Sequence, residues 1–109
     1  LGANDGLRGV KLSDSKKNLE EIIKKGQNSG AKIILAGMQI PPNYGPEYTA
    51  QFKTLFNDLS KKHKTELIPF LLKNVAGQKD LNLEDGIHPN KKGYKIIAET
   101  VFNSIKEFL

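Results

Sequence analysis

With 109 residues the chain can form one domain at most, and the lack of cysteine excludes disulfides and thiolate chemistry. Its net charge of +5 rests on lysine, since Arg8 is the only arginine among 17 basic residues. The bidentate fork that favours phosphates and base edges is therefore scarce, and the basic residues read as solvated surface, not as a nucleic-acid interface. The longest apolar runs, Ile33–Ala36 and Ile68–Leu72, are far too short to span a bilayer.

In chain order, the segment Gly2-Ala3-Asn4-Asp5-Gly6-Leu7-Arg8-Gly9 reads as a turn at the end of a strand that Leu1-Gly2 would close. Ser13 or Asp14 then caps a helix with a narrow apolar stripe of Leu19, Ile22 and Ile23, ended by Ser29-Gly30. Ala31–Met38 is a continuous apolar run of the kind shown by a strand buried on both faces. The prolines of 41–46 make a loop.

A second helix spans about Glu47 to His63, with Phe52, Leu55, Phe56 and Leu59 at helical spacing and His63 solvated at its end. Glu66–Phe70 is a second strand, and 71–85 is irregular, with room for one helical turn. Asn90 caps a last helix with a wide apolar stripe of Tyr94, Ile97, Ala98, Val101, Phe102 and Ile105. Phe52, Phe56 and Phe102 are expected in the core. Strands alternating with helices indicate an α/β layer with parallel strands. So few strands leave an open apolar edge, so the chain reads as incomplete and, made alone, is expected to aggregate, self-associate or stay partly unfolded.

Two segments have residue types suited to chemistry. In the first, an Asn beyond a strand end can aim its amide at a developing negative charge, and the glycines let backbone approach a ligand. Asn-Asp-Gly is equally a strong turn signal. In the second, Asp85-Gly86-Ile87-His88-Pro89-Asn90, a carboxylate three residues before an imidazole can hold it in one tautomer, and Pro89 keeps His88 out of the helical region. A turn followed by a helix cap is the plainer alternative.

Taken together and in this order, G-A-N-D and D-G-I-H-P resemble the GxND and DxxHP blocks of the SGNH (GDSL) hydrolase family. With M-Q-I-P-P-N-Y-G between them, the chain is most similar to the bacterial thioesterase, lysophospholipase and arylesterase branch. The resemblance implies a flavodoxin-like three-layer α/β/α fold, of which residues 1–109 would be the C-terminal portion of a single domain with its N-terminal strands missing. It further implies hydrolysis of small acyl esters or thioesters without metal or cofactor. By position, His88 would be general base and then acid, Asp85 would orient it, Asn4 would donate to the oxyanion, and Gly2 would serve the backbone there.

Ile40, Pro42 and Tyr44 are candidates to wall a substrate groove, and Leu7-Arg8-Gly9 to move over it or be tied down through Arg8. Export to the periplasm or beyond follows from the resemblance alone. The GDS block with the nucleophile would precede Leu1. Ser13, Ser15 and Ser29 suit helix ends, and Ser60 and Ser104 lie on helices, so none of them is expected to be the nucleophile. Loss of the serine costs on the order of a million-fold in such enzymes, so these residues alone are expected to be nearly inert. His63 and His88 lack ligand spacing for a metal. A carbohydrate-ester deacetylase sharing the same blocks, or a non-catalytic flavodoxin-like binding module, are the alternatives.

Overall fold

A computed structural model describes residues 2–109, which divide at Pro69/Phe70 into two compact units. The N-terminal unit holds α1 (Ala3–Leu7), α2 (Leu12–Asn28), β1 (Ile34–Ala36), a 3₁₀ turn at Pro42–Tyr44, α3 (Pro46–His63) and β2 (Glu66–Ile68). The C-terminal unit holds a 3₁₀ turn at Lys79–Leu81, α4 (Lys91–Ile105) and a closing 3₁₀ turn at Lys106–Phe108.

The strands pair in parallel, Leu35 opposite Leu67, with α3 as the connection that parallel strands need. Both are shorter than the apolar runs suggest. At the end of β1, the Gly37 N–H donates to the Ile68 carbonyl at 2.8 Å. A side chain on Gly37 would lie 2.4 Å from the Pro69 carbonyl oxygen, so glycine is what lets the chain pass there.

The core of this unit is Leu19 and Ile23 from α2, Leu35, Ile40, and Phe52, Leu55, Phe56 and Leu59 from α3. The rings of Phe52 and Phe56 meet edge to face with centroids 5.5 Å apart. The α3 stripe is therefore buried as its spacing predicts. Ile22 is not, being 51% exposed, because it lies to the side of the Leu19–Ile23 face.

Several local expectations are corrected. The segment from Ala3 to Leu7 is a short helix, not a bare turn. Helix α2 starts one residue before Ser13, so Ser13 and Asp14 lie inside its first turn and neither caps it. Asp14 still suits the positive end of the helix. Ser29 and Gly30 (φ 86°) do end α2, and Asn90 does cap α4, its side chain accepting from the Gly93 N–H at 3.0 Å.

His63 is not solvated. Its side chain is 10% exposed, with Nε2 3.3 Å from Glu20 Oε2 on α2, at ion-pair distance but misaligned for a hydrogen bond. Lys62 and Lys24 meet the same carboxylate at 3.1 and 3.3 Å. The Lys62 contact, followed by His63, holds the Glu20 carboxyl down at about 2.

Phe102 is also not core. In α4 only Gly93 is buried, while Tyr94 and Phe102 are more than half exposed. Periodicity identifies an apolar face but not what covers it. Gly93 itself is required, since a Cβ there would lie 2.3 Å from the Leu81 carbonyl oxygen and 3.2 Å from Val75.

Candidate active site

Asp85 and His88 are brought together by the chain around them. The Gly86 N–H donates to the Leu83 carbonyl and the Leu83 N–H to the His88 carbonyl, closing a tight loop with Gly86 at φ 71°. An isolated bridge between Asn82 and Pro89 and a bond from the Asn90 N–H to the Leu81 carbonyl zip its base. The Asn82 amide, which the sequence did not single out, donates to the Val75 and Gln78 carbonyls at 2.9 and 2.8 Å. This fastens the loop to the fully buried Val75.

Within the loop, Asp85 Oδ1 accepts the Ile87 and His88 N–H groups at 2.9 and 3.0 Å. Its Oδ2 lies 2.6 Å from His88 Nδ1. The backbone N–H of His88 first, then its imidazole and the Ile87 N–H, hold the Asp85 carboxyl down at about 2. A carboxylate only accepts, so Nδ1 carries the hydrogen and Nε2 is the basic nitrogen. Both side chains are open to solvent, 45% exposed for Asp85 and 66% for His88.

Asn4 belongs to the N-terminal unit, on α1, with its side chain exposed. Gly2 precedes that helix in the left-handed region (φ 90°), and its carbonyl accepts the Gly6 N–H at 3.0 Å. Of the groove candidates, Ile40 is buried in the core, Pro42 is exposed and Tyr44 is half-buried, its hydroxyl donating to the Leu7 carbonyl at 2.7 Å. Arg8 is exposed and forms no ion pair among the described residues. An open groove of about 310 Å³ between α2 and α3, lined by Leu12, Lys16, Thr54 and Asp58 among others, contains none of these residues.

Four of the five serine hydroxyls, all but that of Ser13, are engaged in hydrogen bonds elsewhere. Ser15 lies in the first turn of α2 as expected, but it is buried and donates to Asp5 Oδ2 at 3.0 Å, so it does not cap the helix. Ser29 donates to the Gly26 carbonyl, Ser60 to that of Thr65 and Ser104 to that of Thr100. Among the described residues no serine bonds a histidine, and no cluster of side chains has the make-up to hold a metal.

Esterase TesA of Pseudomonas aeruginosa is 38% identical over 109 residues, all of this chain and 54% of TesA. The arylesterase of Vibrio mimicus is 34% identical over the same span, 54% of its length. The crystal structure of the psychrotrophic esterase EstA from Pseudoalteromonas sp. matches with a TM-score of 0.93 at 40% identity, covering 99% of this chain and 59% of that one. The chain thus has the α/β fold of these esterases and spans about half the length of the curated relatives it matches. The family model of GDSL-like lipases and acylhydrolases matches residues 1–96, and the chain belongs to that family.

Proposed function

We propose that the protein containing this chain hydrolyses small acyl esters or thioesters, and that residues 1–109 form the C-terminal portion of a single SGNH hydrolase domain. The Asp85–His88 pair carries the reading. Its 2.6 Å contact leaves Nε2 basic, as removal of a proton from a serine hydroxyl requires. Asp85 then steadies the imidazolium, and His88 returns the proton to the leaving alkoxide or thiolate.

Asn4 is read as one oxyanion donor and Gly2 as the residue that sets its backbone. The serine lies outside these residues, on a segment that partners this one in the same domain. Pro42 and Tyr44 are read as flanking the acyl chain. The names borne by the relatives, esterase, arylesterase and thioesterase/lysophospholipase, support the reaction class.

In the full-length protein, His88→Ala is expected to lower kcat on p-nitrophenyl acyl esters by about 10⁴-fold or more. Unchanged hydrolysis would remove His88 from the mechanism.

A further inference from the structure

Helix α1 is a five-residue helix. A helix of that length has no stability of its own, and its N-cap Gly2 offers no side-chain hydrogen bond. Something outside it must fix the Asn4 amide. Placement matters, because an oxyanion donor off by about 1 Å forfeits on the order of 10²-fold in rate.

Two of the contacts that meet this segment come from tyrosines well downstream of it. The Tyr44 hydroxyl donates to the Leu7 carbonyl at 2.7 Å, and the Tyr48 hydroxyl to the Val10 carbonyl at 2.7 Å. Both rings pack against the hydrophobic core, so the donors are anchored. Tyr44 ends the Pro42–Tyr44 turn and Tyr48 sits in the first turn of α3.

Just before the first of these carbonyls, Gly6 lies so close to Ile40 and Phe52 that a Cβ would come within 2.6 and 2.7 Å of them. On the far flank, Asp5 accepts the buried Ser15 hydroxyl. Burial first, then the charge of Asp5 and the neighbouring Tyr44, raises the Tyr48 pKa, which keeps its hydroxyl protonated and donating.

We propose that Tyr44 and Tyr48 are positioning residues whose hydroxyls clamp the Leu7 and Val10 carbonyls and thereby hold the helical turn bearing Asn4 in its working place. The inference rests on the reading of Asn4 as an oxyanion donor. It gives Tyr44 a role beyond flanking the substrate. Both tyrosines act through Asn4, so their effect is expected in kcat, not in KM.

The test is a cycle in the full-length protein: Asn4→Ala, Tyr44→Phe, Tyr48→Phe, both Phe changes together, and each Phe variant again with Asn4→Ala. Phe keeps the ring and removes only the hydroxyl. Hydrolysis of a p-nitrophenyl acyl ester gives kcat and KM, and thermal unfolding gives Tm. The double Phe variant is expected to lose about tenfold or more in kcat with KM within about twofold, and to lose less than about twofold further when Asn4 is already Ala.

Equal fractional losses in both backgrounds, or wild-type kcat in the Phe variants while Asn4→Ala is impaired, would overturn the clamp and leave the Asn4 reading standing. Wild-type kcat in Asn4→Ala would overturn that reading, and the clamp with it. Should the double variant not fold, the single Phe variants are read in the same cycle.

Discussion

Asp85 divides its work between two oxygens, one binding the backbone of its own loop and the other the imidazole. Asn at this position keeps an acceptor for the two N–H groups but presents an amide donor to Nδ1. His88 must then accept at Nδ1 and carry its hydrogen on Nε2, where a base needs a lone pair. Asp85→Asn in the full-length protein is therefore expected to lower kcat on the order of 10³–10⁴-fold, with only a modest fall in melting temperature at pH 7, since the amide keeps an acceptor for the two N–H groups but not the charge they and the imidazole favour. Steady-state kinetics beside a thermal melt check both halves of that statement.

This pair was legible in the sequence because its geometry is local, spanning three residues and a proline. The tyrosine clamp was not. Nothing near Tyr44 or Tyr48 announces that their hydroxyls reach carbonyls 37 and 38 positions away.

Among the elements, α3 was readable from its apolar spacing and α4 from its cap, whereas contacts between helices were hidden. Glu20 receives Lys62 and His63 from α3 as well as Lys24 from its own helix, a meeting that only packing reveals. Its carboxyl is held at about 2 against an ordinary 4.5, so the folded state favours the charged form. The stabilisation is present above about 4.5 and is lost as pH falls toward 2. Glu20→Gln should therefore lower Tm at pH 7, and the gap to wild type should close between pH 4.5 and about 2, as calorimetry across that range would show.

Gly93→Ala makes the complementary case of a steric limit. The added methyl meets the Leu81 carbonyl and Val75, so a loss of about 1–3 kcal/mol is expected, read from denaturant unfolding. The sequence marks Gly93 only as an odd glycine inside a helix. The reason for it lies across the packing.

On the scale of the whole molecule, the exposed side chains matter most. Leu83, Ile87, Tyr94 and Phe102 are each more than half exposed, and the two-stranded sheet leaves unpaired backbone at its edges. Produced by itself, the 109-residue chain is expected to self-associate or to melt without cooperativity. Sedimentation velocity decides this, since a monomer of 12.1 kDa with a sharp transition would contradict it. The α/β class was legible from the alternation of elements. The apolar stripe of α4 was legible too, but which surface covers it is not written in its period.

The loop from Leu83 to Asn90 has one more consequence, for the entropy of building an acid–base pair. A carboxylate brought from a distant strand would require a long segment to close before the imidazole could be oriented, at a cost that grows with loop length. Here the closure spans three residues, and the bonds that enforce it lie within Leu83–His88, with Asn82, Pro89 and Asn90 at the base. The tautomer of His88 is thus set by its immediate neighbours. Substitutions far from this loop and from the residues that fasten it are free to alter stability without first disturbing the Asp85–His88 contact.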